Sequence, residues 1–277
     1  MLSLALIVRD EEKNLDRCLS SAQGLWDELI IVDTGSKDRT VEIAKKYTDK
    51  IYHFEWINHF AEARNFSFSK CTQPWIMWLD ADDFLPPDVV KKTREHFEIV
   101  SKSRADVDFI LMNYYYYVDP PTPQGKPLAT QLRERIIRKE KARWEGRCHE
   151  IIPVDWNKSY SLPSEVAVWH LRDEEDRVKD SDRNISLMKL CVQDDPSSRN
   201  HFYLAEEYSN HGKQTEAIEH YKIAYEKSFI PDLSFQAAYK LGKNYLETKD
   251  KNNAITWYKK SLEHDVSYRE PLLELAN

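Results

Sequence analysis

The hydrophobic pattern of the chain changes once along its length. Over roughly the first 170 residues, short apolar runs alternate with amphipathic stretches, which is typical of α/β units and a largely parallel sheet. After Asp180 the apolar residues recur with the helical period. The change predicts an α/β domain over 1–175, followed over 176–277 by an all-α part that holds a helical linker and repeats.

Acidic and polar clusters follow several of the predicted strands. Strands are predicted at Leu4–Val8, Leu29–Val32, Ile51–Phe54, Trp75–Leu79, Phe109–Tyr117, Arg135–Arg138 and Val166–His170. Helices are predicted at Asn14–Ala22, Thr40–Tyr47 and Phe60–Lys70. In open α/β sheets ligands bind beyond the carboxyl ends of the strands. Because acidic clusters follow the first, second and fourth strands, we expect them to converge on one edge of the sheet.

The helical part contains two copies of one pattern. Leu204, Ala205, Tyr208, Ala217, Tyr221 and Ala224 match Leu241, Gly242, Tyr245, Ala254, Tyr258 and Ser261, which lie 37 positions later. A large residue, a small one and an aromatic three positions on is the tetratricopeptide pattern, whose small and aromatic positions form the core of a helix pair. A spacing of about 34 residues predicts the start of a third unit at Leu275 and Ala276. Because such arrays usually need about three units, we expect the repeats to lean on the first domain, on further residues or on a partner, a homo-oligomer included.

The most acidic cluster follows the fourth predicted strand, where Asp80, Asp82 and Asp83 stand within four positions. Crowded carboxylates repel one another and therefore favour a positive partner. Mg²⁺ and Mn²⁺ prefer oxygen ligands and often complete their coordination with substrate phosphates. The cluster predicts a metal-bridged phosphate site. The alternative is a helix that begins near Pro86 and collects aspartates in its first turn.

Composition excludes several classes of protein. With 40 Lys and Arg against 47 Asp and Glu, the net charge is −7, which gives no electrostatic footprint for nucleic acid. No apolar window approaches the ~20 residues of a membrane span, and the N-terminus lacks the basic start of a signal peptide. The four cysteines form no Cys-x-x-Cys pair, which favours reduced thiols over disulfides or zinc ligands. We therefore expect a cytoplasmic protein.

Several motifs together resemble family two glycosyltransferases of the GT-A fold. They are Ile30–Thr40, Ala63-Arg64-Asn65, Leu79–Asp83, Arg135–Arg138, Trp144–Glu150 and Val168–His170. The resemblance is strongest to bacterial members with a C-terminal tetratricopeptide extension, which include peptide S-glycosyltransferases and lipopolysaccharide core glucosyltransferases. It implies an inverting, metal-dependent hexosyltransferase that moves a sugar from a UDP-sugar to a peptide, glycan or other acceptor. Asp10 departs from the pattern, because the family usually carries Asn at this position.

The resemblance also implies roles for individual residues. Nucleotide contacts are expected from Val8, Arg9, Glu11, Asp33, Arg64, Asn65, Asp80 and Ala81. Among these, Asp33 would accept a base N–H, and the guanidinium of Arg64 suits a pyrimidine carbonyl or a phosphate. Metal ligation is expected from Asp82 and His170, with Asp83 as a further candidate, and an imidazole ligand favours Mn²⁺ over Mg²⁺. Glu150 is expected to be the general base, with His149 close by.

Other interpretations stay open at this point. Arg64 could instead lie on a solvated helix face, and the pair His149-Glu150 could lie in a loop that supports the sheet. His170 could be a buried histidine whose ring nitrogens are hydrogen-bonded within the core. Tyr114–Tyr117 would suit either stacking on a sugar or packing within a sheet. For the whole chain, one alternative is a non-catalytic tetratricopeptide scaffold with a degenerate first domain. Another is a sugar-phosphate nucleotidyltransferase, although the Gly-rich phosphate loop expected of one is missing near the N-terminus.

Overall fold

The computed structural model describes residues 1–172, 181–264 and 270–276. The contacts between residues divide the chain into two compact units, Met1–Asp176 and Arg177–Asn277. Within the described residues no helix is both long and apolar enough to cross a membrane. All four cysteines are free thiols.

Within its described residues, 1–172, the first unit contains nine strands and four α-helices. The strands are β1 (Leu2–Val8), β2 (Glu28–Asp33), β3 (Ile51–His53), β4 (Trp75–Trp78), β5 (Asp83–Phe84), β6 (Phe109–Asp119), β7 (Lys126–Arg138), β8 (Ser159–Ser161) and β9 (Ala167–His170). The helices are α1 (Leu15–Ser21), α2 (Thr40–Ala44), α3 (Phe60–Lys70) and α4 (Pro87–Ser103), with short 3₁₀ turns at Lys139–Lys141 and Trp156–Lys158. All seven predicted strands and all three predicted helices are present, although most of their ends differ by one to several residues.

The strands form one mixed sheet in the order β3-β2-β1-β4-β7-β6-β9-β5, with β8 paired to β6. The first four strands are parallel to one another, whereas β7 runs antiparallel to both β4 and β6. The expectation of a largely parallel sheet holds for most strand pairs, including those of β6 with β8 and β9, but not where β5 and β7 pair with their neighbours. For β7 the physical reason is the connection between β6 and β7: six residues, 120–125, are enough for a hairpin but too few for a parallel crossover.

Two apolar layers cover the sheet, one on each face, so that β1 and β2 are buried on both faces. Leu4, Leu6 and Ile31 point into one layer with residues of α1 and α4, whereas Ala5 and Ile30 point into the other with residues of α3. Successive side chains of a strand point to opposite faces, so a near-continuous apolar run is what a doubly covered strand requires. With both faces covered, polar side chains gather at the edge where the parallel strands end.

The second unit is all-helical. Its helices are α5 (Ser181–Asp194), α6 (Ser198–Asn210), α7 (Gln214–Lys227), α8 (Pro231–Glu247), α9 (Lys251–His264) and α10 (Glu270–Ala276), and each one described packs against the next along the chain. The two predicted repeats are the pairs α6/α7 and α8/α9. Gly242 of α8 shows why the pattern needs a small residue: a Cβ atom there would lie 2.4 Å from the ring of Tyr258 in α9. The predicted fold class, an α/β unit followed by tetratricopeptide-like helices, is confirmed.

Candidate functional site

The carboxyl ends of β2, β1 and β4 form one edge because these strands are adjacent and parallel. Val8 and Asp33 are partners in the register of β1 and β2, and Asp80 stands two positions after the end of β4. The carbonyl oxygen of Val8 accepts hydrogen bonds from the backbone N–H of Thr34 at 2.9 Å and from its hydroxyl at 3.2 Å. The predicted convergence of the acidic clusters is therefore present in the fold.

The loops that follow β1 and β2 are bonded to each other. Asp10 has a φ of +54°, and its carboxylate accepts the backbone N–H of Lys37 at 2.7 Å. The backbone N–H of Glu11 donates to the hydroxyl of Thr40 at 2.7 Å. Asn and Asp are the non-glycine residues that best tolerate a positive φ. The substitution of the family's Asn by Asp10 is thus compatible with this backbone.

Asp33 is buried at the end of β2, and its carboxylate accepts the backbone N–H groups of Gly35 at 3.2 Å and Ser36 at 3.0 Å. Its Oδ2 atom also lies 3.5 Å from Nδ1 of His53. A carboxylate has about four lone-pair sites, so it can accept a further hydrogen bond. Asp33 borders a cavity of about 420 Å³, which is lined by Asp33, Val41, Lys45, Asp49, Ile51, Tyr52 and His53.

Arg64 of α3 joins two carboxylates. Its Nη2 atom donates to Oδ1 of Asp80 at 2.8 Å, and its Nε atom donates to Oε1 of Glu150 at 2.7 Å. Burial by itself raises the pKa of Asp80, but the charges of Arg64 and Arg135 outweigh it and lower the pKa to about 2. Burial opposes the charge of Arg64 as well, yet the same two carboxylates raise its pKa above the usual value. Arg64 is therefore an internal ion-pair partner and does not belong to a solvated helix face.

Asp82, Asp83 and His170 come together because β5 pairs with β9. Asp83 and His170 are partners in this antiparallel pair, and the backbone N–H of Leu171 donates to the carbonyl of Asp82 at 3.0 Å. Nδ1 of His170 lies 3.3 Å from Oδ1 of Asp82 and 3.7 Å from Oδ1 of Asp83. One potential ligand atom from each of the three residues lies within 4.8 Å of the others.

Asp83 pairs with Arg135, a residue that was not among the site residues predicted from the sequence. Arg135 and Asp83 are both fully buried, and Nη1 of Arg135 donates to Oδ2 of Asp83 at 3.0 Å. The backbone N–H of Asp80 donates to the same oxygen at 2.9 Å. The sequence does carry a signal for Arg135, which directly precedes the apolar pair Ile136 and Ile137. Because buried charges are almost always paired, a charged residue at such a position indicates a buried ion pair.

His170 carries a raised pKa in this arrangement. Burial lowers its pKa, but the charges of the nearby Asp82 and Asp83 outweigh burial and raise it to about 10. The ring of Tyr114 packs edge-on against His170 with 5.7 Å between centroids, and the ring of Tyr115 packs against Trp169 at 5.3 Å. These two tyrosines pack within the sheet, as one of the two interpretations predicts.

The remaining predicted residues lie in varied surroundings. Asn65 bonds at both ends to the backbone of Trp144, which engages its amide in supporting the segment that leads to Glu150. His149 is exposed, with a φ of +49°, in a loop closed by the pairing of Glu145 with Ile151. Arg9 is exposed, Glu11 is half-buried and Ala81 is buried. A direct ligand contact thus has less geometric support for Asn65 and Ala81 than for Asp33 or Asp80.

Comparison with known proteins identifies the family. The family model described as "Glycosyl transferase family 2" matches residues 3–154, which is more than half of the chain and includes the edge described above. The chain belongs to glycosyl transferase family 2. The resemblance seen in the sequence motifs is thereby confirmed.

The relatives of this family 2 chain include a glycosyltransferase and a protein named for its TPR repeats. It is 26% identical over 231 residues to the SPbeta prophage-derived glycosyltransferase SunS of Bacillus subtilis, which covers 80% of the chain and 52% of SunS. It is 48% identical over 84 residues to a TPR repeat-containing protein of Synechococcus elongatus, which covers 30% of the chain and 21% of that protein. The chain thus spans about half of the first relative's length and about a fifth of the second's.

Among solved structures, the crystal structure of S. aureus TarS 1-349 in complex with UDP-GlcNAc has a TM-score of 0.50 against this chain. The two are 15% identical, and the match covers 97% of this chain and 91% of that one. At this identity the likeness concerns the fold alone.

Proposed function

We propose that this chain is an inverting glycosyltransferase that uses Mn²⁺ or Mg²⁺ to move a hexose from a UDP-sugar to an acceptor such as a peptide or a glycan. The observation that carries the proposal is the cluster of Asp82, Asp83 and His170 immediately beyond the strand end that carries Asp80. Family membership supports glycosyl transfer, and the UDP-GlcNAc complex of TarS supports a UDP-sugar as donor.

The donor set suits a divalent cation. Oδ1 of Asp83 and Nδ1 of His170 are buried, and within the described part of the chain neither has a hydrogen-bond partner. Both hydrogen bonds to Asp83 go to Oδ2, so Oδ1 is left facing the imidazole. Carboxylate oxygens suit Mg²⁺ and Mn²⁺, and one imidazole favours Mn²⁺. We infer that Asp82, Asp83 and His170 would hold the cation.

The proposal assigns roles to Asp33, Asp80, Glu150 and His149 in addition to the three residues that would hold the cation. A bound divalent cation offsets the negative charge that gathers on the departing diphosphate. Asp33 accepts an N–H of the donor's base, and Asp80 contacts the ribose. Glu150 removes the proton of the acceptor nucleophile, which inversion requires on the sugar face opposite the leaving group. His149 lies next to Glu150 in the chain and would line the acceptor side.

The test is ligand stabilisation of the full chain. UDP with Mn²⁺ is expected to raise the melting temperature by mass action, and UDP with a chelator is expected to raise it less. GDP with Mn²⁺ is the matched control for the base. Equal stabilisation by GDP, or none by UDP, contradicts the assigned donor. UDP binding without hydrolysis of any UDP-sugar in a panel favours the scaffold alternative.

A further inference from the structure

The guanidinium of Arg64 lies in the corner between two nearly perpendicular indole rings, and two of its nitrogens donate hydrogen bonds. Its central carbon lies 5.0 Å from the ring centroid of Trp78 and 4.8 Å from that of Trp144. Nη2 and Nε donate to Asp80 and Glu150 as described above, and the side chain is only 10% exposed. The two rings restrict the position of the guanidinium, and the two carboxylates restrict its orientation.

The two carboxylates come from segments that are far apart in the sequence. Asp80 follows β4 and stands two positions before Asp82. Glu150 stands in the loop between β7 and β8. Within the described residues, Arg64 is the side chain that donates a hydrogen bond to Glu150. The position of the Glu150 carboxylate relative to the donor side of the site thus depends on one guanidinium.

We propose that Arg64 is a positioning residue for Glu150. By bonding both Glu150 and Asp80, it keeps the carboxylate of the base at a fixed position relative to the bound donor. This inference rests on the proposed function. Displacing a reacting group by about 1 Å can cost on the order of 10²-fold in rate, so a residue that fixes the base contributes to kcat without touching the substrate. The expectation that Arg64 contacts the nucleotide directly becomes the competing outcome of the test.

The geometry explains why the residue is arginine. A guanidinium can lie against two indoles while its N–H groups, which point in fixed directions, donate to two separate carboxylates. A lysine ammonium at the same place keeps the charge but lacks this fixed fork of donors. Arg64→Lys should therefore retain part of the function, whereas Arg64→Met should lose it.

The experiment is a double-mutant cycle that uses water as the acceptor. Hydrolysis of a UDP-sugar at saturating Mn²⁺ gives kcat, and calorimetry with UDP and Mn²⁺ gives Kd. Glu150→Gln is expected to lower kcat by about 10²-fold, the usual scale for a general base, with little change in Kd. Arg64→Met should lower kcat by a similar factor. The kcat of the doubly changed variant should lie within about threefold of that of the slower single variant, because both substitutions act through the Glu150 carboxylate.

Two results overturn the inference. A doubly changed variant that is slower by the product of the two factors, on the order of 10⁴-fold, means that Arg64 and Glu150 act independently. A weaker UDP affinity in Arg64→Met with an unchanged kcat means that Arg64 is a nucleotide ligand only. If Arg64→Met does not fold, Arg64→Lys takes its place, with an expected loss of about tenfold and the same non-additivity.

Arg94→Met is the matched control. Arg94 of α4 also bonds two carboxylates, Asp27 at 3.0 Å and Glu98 at 3.2 Å, and its guanidinium lies 5.7 Å from the ring of Phe97. None of these residues belongs to the proposed site, so kcat and Kd should stay within about twofold of the parent values. A parent chain that neither binds UDP nor hydrolyses any UDP-sugar contradicts the proposed function itself. An additive cycle in an active parent contradicts only the role of Arg64.

Discussion

Replacing Arg135 by Met is expected to destabilise the first unit strongly, because it leaves the fully buried Asp83 carboxylate without the nearer of its two cationic neighbours. The guanidinium also lies 3.8 Å from the ring of Trp78 and 4.3 Å from the ring of Tyr114, and these contacts are lost with the charge. Removing one partner of a buried ion pair costs about 3–5 kcal/mol of unfolding free energy. At about 2–4 °C per kcal/mol for a unit of this size, the melting temperature should fall by roughly 6–20 °C.

Tryptophan fluorescence is a suitable assay because every tryptophan except Trp257 lies in the first unit. The variant that combines Arg135→Met with Asp83→Asn should recover most of the lost stability, since no uncompensated charge remains buried. Arg138→Met is the control in the same strand. Arg138 also has a carboxylate partner, Asp108 at 3.2 Å, but it is 21% exposed and Asp108 keeps Lys158 at 3.8 Å, so the cost should be clearly smaller than for Arg135.

The reasoning is refuted by either of two results. A cost below about 1 kcal/mol for Arg135→Met would mean that Asp83 does not depend on this charge. A doubly changed variant as unstable as Arg135→Met alone would mean that the guanidinium stabilises the unit by packing between the two rings and not by compensating the carboxylate. Both results are read from the same melting curves, recorded with a chelator so that no divalent cation replaces the missing charge.

Three further predictions concern the metal site and the helical unit. Asp82→Asn should abolish Mn²⁺-dependent hydrolysis of the UDP-sugar while the chain stays folded, although the loss of the pair with His170 should lower the melting temperature without metal; full activity at saturating Mn²⁺ would contradict the role in metal binding. Gly242→Ala should lower the stability of the helical unit, because overpacking against Tyr258 by about 1–3 kcal/mol outweighs the gain of up to about 1 kcal/mol in helix propensity; a higher melting temperature by circular dichroism would show that the ring moves aside. Burial and the charges of His220, 2.9 Å away, and Lys227 lower the pKa of His201 to about 4. Below about pH 6.5 the unfolded chain therefore binds more protons than the folded one, and the unfolding free energy should fall as the pH is lowered from 6.5 to about 4. Replacing His201 by Asn should remove most of this pH dependence of denaturant unfolding, and an unaltered dependence would assign it to other groups.

The sequence by itself determined the elements and the composition of the edge. Near-continuous apolar runs indicate strands covered on both faces, so the acidic residues after Val8, Val32 and Leu79 could be assigned to one edge from local pattern alone. The repeat was equally readable, because a small residue (Ala205, Gly242) and a tyrosine (Tyr221, Tyr258) stand at the same spacing in both copies. These features depend on local periodicity, and local periodicity is what a sequence displays directly.

Only the tertiary structure decided which of these residues meet. The pairing of β5 with β9 sets Asp83 opposite His170 across more than eighty positions, and Arg64 bonds Glu150 across a similar distance. The strand β5 is two residues long, too short for any periodic signal, and the antiparallel insertion of β7 brings Arg135 behind Asp83. Such contacts depend on strand register and on packing in three dimensions, which the pattern along a single chain does not specify.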